Sequence, residues 1–421
     1  MNGVSESAPL MRGMTRRPSR RYSKTIEEEM GKDPVKRVSY ESRSHQSVLC
    51  QMYGSAWPNV LPFCLLNMLW IALIEFLKHH TPIDISFHSL KGHSIMAILV
   101  RKDQSVPHNA ANPSVVCSHV FWLALLCFLQ VSFLVVSRIT MTYTNFKLAR
   151  EYLSVCFKSC RSVAHLACLL TRYNRSEGAQ RWRSDVAFQS IMMLRIMTCA
   201  NEHDLTNPDH PHGSWIMVPD DIQEKLGFLD DSTQTKWSHG RRLIENENFR
   251  APTVMAFFLQ ETIVRHREEE YCGERLAVNE ELRILESVQE FLAGYHGIHE
   301  VITTAFPFPL AQMTRTFLFF WTFTLPMALV NTGPMWQVMV IMFFVTYGFI
   351  GLEYVSIEMD DPFGDDPNDF DDWGMAQVII EDIYISIFNT DGVAAAKCLR
   401  RRVVDQIRYA AGTTTDLEAG N

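Results

Sequence analysis

The sequence predicts an all-α membrane protein, with four transmembrane helices per chain and a large helical domain on the inner side of the membrane. Two gaps in charge carry that expectation. No Asp, Glu, Lys or Arg lies between Asp103 and Arg138, and none between Arg315 and Glu353, although the chain of 421 residues is 20% charged. A hydrocarbon core about 30 Å thick takes about 20 apolar residues of helix to cross, so runs of this length exclude an ordinary soluble globule. The third observation is a mean hydropathy of only −0.04, which leaves room for an extensive polar part beside the spans.

The first span is placed at about Trp57 to Leu77, closed by Lys78, His79 and His80, and the second at about Val116 to Val136. The uncharged run after Arg315 is too long for one crossing, and Asn331-Thr332-Gly333-Pro334 is a strong turn signal in its middle. It reads as a helical hairpin, about Pro309 to Val330 and about Met335 to Leu352. Arginines at positions 12, 16, 17, 20 and 21 precede span one, and Arg138, Lys147, Arg150, Lys158 and Arg161 follow span two, which puts both ends on the cytoplasmic side. Residues 1–46 then form a flexible basic tail without the apolar run of a secretory signal. Residues 47–400 form the membrane-plus-helical domain, and 401–421 a polar C-terminal tail. The inner helical part, about Thr142 to His299, contains the helix-like stretches Phe146–Tyr173, Ser184–Ala200 and Glu261–Gly294, with an exposed connection over Asn201–His239.

Net charge is −8, from 39 basic and 47 acidic residues, which argues against a nucleic-acid partner. Ten cysteines show no CxxC pair or regular spacing, so neither a disulfide framework nor a zinc ribbon is indicated. Walker, GxSxG, HExxH and GxGxxG signatures are all absent, and the Asp209-His210-Pro211-His212 segment is a lone HxH in a polar loop. The chain is therefore not read as an enzyme.

Three segments carry chemistry. In span two, Trp122, Leu126, Gln130, Leu134 and Arg138 recur every four residues, a ladder running from aromatic through polar to cationic. Such a face suits a narrow constriction with an anion-attracting cation at its inner mouth; equally, these residues suit packing against neighbouring helices, with Arg138 snorkelling. Phe306, Pro307, Phe308 and Pro309 precede span three, and proline at a helix start leaves a positive dipole end that anions favour. The plain alternative is a helix boundary. Beyond span four, residues 358–372 concentrate carboxylates around Gly364, Pro362 and Pro367. Such a segment can bring carboxylates and backbone carbonyls together around Ca²⁺, although it lacks the EF-hand order, or it can serve as a solvated acidic linker.

These segments together resemble the bestrophin family of anion channels. The run Arg138-Ile-Thr-Met-Thr-Tyr143-Thr-Asn-Phe146-Lys-Leu-Ala-Arg150, followed by Cys160-Arg161, is similar to the family's Arg-x-Asn-x-Ala-Tyr-x-Arg-Phe-Trp-Glu-Ala-Arg stretch. Phe306-Pro-Phe-Pro-Leu310 resembles its Pro-Ile-Pro-Phe segment, and Asp361-Pro-Phe-Gly-Asp-Asp-Pro-Asn-Asp369 resembles its Asp-Pro-Phe-Gly-x-Asp-Pro-Asn-Asp signature. The likeness extends over roughly residues 47–400. It implies a homopentamer in the lipid bilayer whose second helices surround an axial pore for chloride and often bicarbonate. The family's neck falls on Trp122, Leu126 and Gln130, where Gln130 departs from an apolar ring, and its inner aperture falls near Glu281 to Leu285. The resemblance implies a calcium clasp from Asp366 and Asp369, with Asp365 beside them and carbonyls of Glu358 and Asp361. Thr140, Asn145 and Leu148 replace the family's Asn, Arg and Glu, which suggests a divergent branch. Relatives work in plasma membranes and, in photosynthetic cells, in thylakoid membranes. The competing function is a non-conducting membrane scaffold whose helical inner domain recruits partners.

Overall fold

The computed structural model describes residues 51–80, 83–84, 100–101, 113–201, 219, 240–268, 276–304, 306–329, 334–363 and 367–419, with backbone alone at 78, 83–84, 100–101, 113–127, 240–249, 328 and 408–419. Helices dominate: α1 (Trp57–His80), α2 (Pro113–Leu170), α3 (Glu177–Asn201), α4 (Gly240–Val264), α5 (Val278–Thr303), α6 (Phe308–Leu329), α7 (Met335–Asp360), α8 (Asp372–Asp391) and α9 (Val393–Ala419). One departure from an all-α chain is a two-residue antiparallel pair, in which Ile83 faces Arg101 and Asp84 faces Val100. The expected basic N-terminal tail, the 331–333 turn and nearly all of the 201–239 connection lie outside the described residues.

The chain divides into two compact units, one of residues 38–148 and 304–362, the other including 149–303 and 363–421. In the first, α1, α2, α6 and α7 share a core of Val60, Cys64, Val131, Val135, Leu318 and Ile350. Polar groups inside it are tied between helices. Asn67 donates to Thr346 Oγ1 at 2.7 Å, and the Trp70 indole donates to the Phe323 carbonyl at 3.1 Å. Outward, the unit presents Leu69, Phe133, Trp336 and Phe344, each more than 60% exposed. An apolar surface of that kind belongs against lipid or other apolar partners. Among the described residues three helical segments are long and apolar enough to cross a bilayer, Trp57–Leu77, Phe128–Leu170 and Met335–Asp360. The stretch expected as the third span is helical, as α6, but is not one of these three segments, since Arg315 and several threonines lower its hydropathy.

In the second unit α3 is the central helix, with Trp182, Val186, Ile191, Met192, Met193, Leu194 and Ile196 fully buried. The α2 stripe Leu153, Cys156, Cys160, Val163, Ala164 and Ala167 follows helical spacing and joins the same core, which accounts for Cys156 and Cys160 by packing. Gly294 and Gly297 bring α5 against α2: a Cβ on Gly297 would stand 2.7 Å from the Tyr152 ring. Arg183 is fully buried yet satisfied. Its guanidinium bonds both carboxylate oxygens of Asp391 and donates to the Thr171 and Asn174 carbonyls.

Two expectations about elements need correction. The Glu261–Gly294 stretch is not one helix: α4 ends at Val264 in a short 3₁₀ turn, Arg265–Arg267, and α5 begins at Val278. The polar tail after Arg401 is instead helix as far as Ala419, because Leu399, Val403 and Ile407 recur every four residues and are buried against the core.

Candidate functional site

The inner half of span two sets the site. Four-residue spacing does not hold one face of an α-helix over a long run, since each step advances the azimuth by about 40° beyond a full turn. From Trp122 to Arg138 the drift is about 160°, almost to the opposite side. Accordingly Gln130 is exposed while Arg138 is only 2% exposed. The exposed polar face is instead a seven-residue series: Gln130, half-buried Ser137 and exposed Thr144, with exposed Thr140 beside them. Thr140 and Thr144 donate their hydroxyl protons back to the carbonyls of Val136 and Thr140 at 2.8 and 2.7 Å, which leaves their oxygen lone pairs outward. The side chains of Trp122 and Leu126 lie outside the described residues.

Arg138 is not a free cation at a mouth. Its Nη1 lies 3.0 Å from Glu353 Oε1 and its Nη2 lies 3.4 Å from Asp360 Oδ2, both on α7. Arg315 on α6 approaches the same Glu353 oxygen, Nε to Oε1 at 2.8 Å. The guanidinium of Arg138 also caps the Phe306 ring at 4.9 Å. A buried charge persists only when paired, and here two guanidiniums meet two carboxylates. Glu353 is itself 4% exposed. The partners Arg315, Glu353 and Asp360 escaped sequence reasoning. A signal was present nonetheless, since Arg315 and Glu353 are the charges that bound the uncharged hairpin, and an antiparallel pair of helices brings such ends together.

Phe306 therefore acts through its ring. Pro307 accepts from the amides of both Leu310 and Ala311 at 3.0 and 3.1 Å, and Pro309 has no N–H. The start of α6 is at Phe308, one residue before the expected boundary, and its first turn directs little donor capacity outward. Phe308 and Pro309 are exposed.

The acidic segment falls in both units. Glu358 and Asp361 belong to the span unit and Asp369 to the helical unit, while Asp365 and Asp366 lie outside the described residues. Glu358 and Asp369 are partly buried and Asp361 is exposed. Two neighbouring carboxylates have a local role: Asp371 Oδ1 accepts from Gly374 N, and Asp372 Oδ1 from Trp373 N, each at 3.0 Å, at the start of α8. Among the described residues no group of three or more His, Cys, Asp or Glu is placed to hold a metal. Glu281, near the expected aperture, is 4% exposed and bonded through both oxygens to Arg267, at 2.7 and 2.8 Å. Its charge is therefore neutralised.

The span unit with its apolar exterior, and a helix that leads from it into a second helical unit, define a multi-pass integral membrane protein. The family model of bacterial and fungal bestrophins matches residues 37–383. The chain thus belongs to the bestrophin family, a family of oligomeric anion channels and not of enzymes. Solved structures of a bacterial bestrophin homologue from Klebsiella pneumoniae share the fold. A variant of that homologue with one tryptophan replaced by alanine aligns at 14% identity and TM-score 0.57, covering 80% of this chain and 99% of its own. Another, with one isoleucine replaced by threonine, aligns at 14% and 0.55, covering 78% and 99%. No curated protein matches the sequence.

Proposed function

We propose that the protein is a passive anion channel, a homopentamer whose α2 helices surround an axial pore that conducts chloride and bicarbonate. Membership of the bestrophin family supports the ion class. The observation that carries the pore assignment is the polar series of exposed Gln130, half-buried Ser137 and exposed Thr140 and Thr144, which begins within the apolar span and continues past its inner end. A polar stripe on a lipid-facing surface is costly, whereas around a shared axis it meets water. One such helix encloses nothing, so copies of the chain are needed. Trp122 and Leu126 precede Gln130 on α2 and are assigned to the narrow part of this pore. Arg138 serves it by fixing α2 to α7 and to Phe306, at the foot of the segment Phe306-Pro307-Phe308-Pro309. Chloride against bicarbonate is set where partly dehydrated ions pass Gln130. The membrane is the plasma membrane or, in a photosynthetic cell, the thylakoid.

Calcium regulation is part of the same proposal. Asp365, Asp366 and Asp369, with main-chain oxygens of Glu358 and Asp361, supply hard oxygen donors of the kind Ca²⁺ takes. Purified protein in planar bilayers under a chloride gradient is expected to give currents that reverse at the chloride equilibrium potential. Cation-selective current, or silence from verified oligomers, rejects the channel assignment.

A further inference from the structure

A groove unrelated to the proposed pore runs between α2 and α8. Its volume is about 570 Å³, within the range of about 300–1,000 Å³ typical of small-molecule sites. Arg161, Ser162, His165 and Leu169 line it from α2 and Arg172 from the turn that follows, and Asp382, Ile385 and Asn389 are among those that line it from α8. Its formal charge is positive, two guanidiniums against one carboxylate, in a chain whose net charge is −8. The positive groups are also available. Arg161 makes only an exposed 3.4 Å contact with Asp382, with side chains 50% and 39% accessible, and pairs of that kind contribute little. Arg172, Ser162, His165 and Asn389 have no side-chain partner among the described residues. The hydroxyls of Ser386 and Thr390, by contrast, are turned into α8, donating to the carbonyls of Asp382 and Ser386 at 2.9 Å.

From this arrangement we infer that the groove binds a soluble organic phosphate bearing at least two anionic groups. Planar guanidinium forks match phosphate oxygens two at a time, which a monatomic anion such as chloride does not reward. Nine residues of helix, about 14 Å, separate Arg161 from the end of α2 at Leu170, and Arg172 follows in the turn beyond it, so a ligand with anionic groups well apart suits the pair better than a single phosphate. Between the two arginines, Leu169 and Ile385 are 50% and 55% exposed, an apolar ledge for the organic body. Ser162 and Asn389 add neutral donors for the remaining oxygens. Asp382 opposes binding, and displacement of Arg161 from it accompanies occupancy.

The test is calorimetric titration of the full-length assembly in nanodiscs of neutral lipid, with inorganic pyrophosphate and with uridine diphosphate as probes. Saturable binding is expected for both, tighter for the nucleotide. Arg161→Ala with Arg172→Ala is expected to weaken binding by about tenfold or more, the loss of two charge-assisted contacts. Asp382→Asn should tighten it. Arg150→Ala, which removes a charge outside the groove, should change nothing. Equal affinity for the two probes overturns the role of the ledge. Absence of saturation, or equal weakening by Arg150→Ala, overturns the site. A repeat in phosphatidylglycerol nanodiscs separates the two sources of phosphate. Retained pyrophosphate binding supports a soluble ligand, and competition by the lipid assigns the groove to a headgroup and overturns the inference. The bilayer current under chloride alone reads the channel proposal separately.

Discussion

Replacing either member of the buried ion pair under α2 should reveal whether Arg138 is a structural tie or a free attractor of ions. Removing one partner of a buried pair costs about 3–5 kcal/mol, since the other is left charged and desolvated. The geometry orders the two deletions. Arg138→Ala leaves Glu353 with Arg315 at 2.8 Å, so its cost belongs at the low end, about 3 kcal/mol. Glu353→Ala leaves Arg138, at 2% exposure, with only Asp360 at 3.4 Å, and belongs nearer about 5 kcal/mol. At roughly 2–4 °C per kcal/mol for a unit of this size, thermal melts followed by tryptophan fluorescence should fall by about 6–12 °C and about 10–20 °C. Arg138→Ala with Glu353→Ala together should cost less than the two single changes summed, a coupling of about 1–3 kcal/mol. The reasoning fails if Arg138→Ala melts like the native protein and instead lowers the anion-to-cation permeability ratio, since that is the behaviour of a cation facing the ion path.

Four further expectations follow from the structure. Arg183→Lys should destabilise the helical unit by about 2–4 kcal/mol, because a lysine cannot span Asp391 and the Thr171 and Asn174 carbonyls together; an unchanged melt would show that the fork is dispensable. Gly297→Val should cost about 1–3 kcal/mol through collision with Tyr152, and Tyr152→Ala in the same chain should restore part of that loss in chemical denaturation. Asp366→Ala with Asp369→Ala should abolish any calcium dependence of the current, and an unaltered calcium titration would retire the clasp. Cysteines placed at 130, 137 and 144 should lose current on treatment with a charged thiol reagent, whereas one at 135, where Val135 is buried, should not; equal labelling at all four positions would remove the stripe from the ion path.

Much of the span unit was legible because lipid makes strict demands. A backbone without water must bond within its own helix, so charge gaps translate into helix, although α2 does not stop at the flanking Arg138 and continues to Leu170. The second unit offered weaker signals. The interruption between Val264 and Val278 was masked by helix-forming residues on both sides, and only a cap would have marked it: the amides of Glu280 and Glu281 turn back to Ala277 O, while the Glu280 carboxylate accepts from Ala277 N. The C-terminal helix was readable in principle from Leu399, Val403 and Ile407, yet the surrounding arginines and threonines gave it the composition of a tail. The carboxylate partners of Arg138, Glu353 and Asp360, lie more than two hundred residues away, and no local pattern conveys a meeting at that separation. Glu281 is the same problem at shorter range. Its position in the chain suggested a charge in the ion path, and its pairing with Arg267 is a tertiary fact.

The neutralised cluster changes where anion preference has to originate. Arg138 and Arg315 contribute two positive charges, Glu353 and Asp360 two negative ones, and charges of opposite sign a few ångströms apart leave little field beyond them. Under the proposed conduction, an ion near α2 therefore responds mainly to dipoles. Gln130 is then more than a departure from an apolar ring. Its amide offers two N–H donors and one carbonyl, and a ring of such amides solvates an anion through its donors without holding it as a guanidinium ring would. Threonine hydroxyls already bonded to their own helix give no further proton, so Thr140 and Thr144 solvate cations or water rather than chloride. Donor capacity for anions on the described stripe is thus concentrated at Gln130, with Ser137 below it, and that concentration makes position 130 the place where a change of side chain should move selectivity without moving stability.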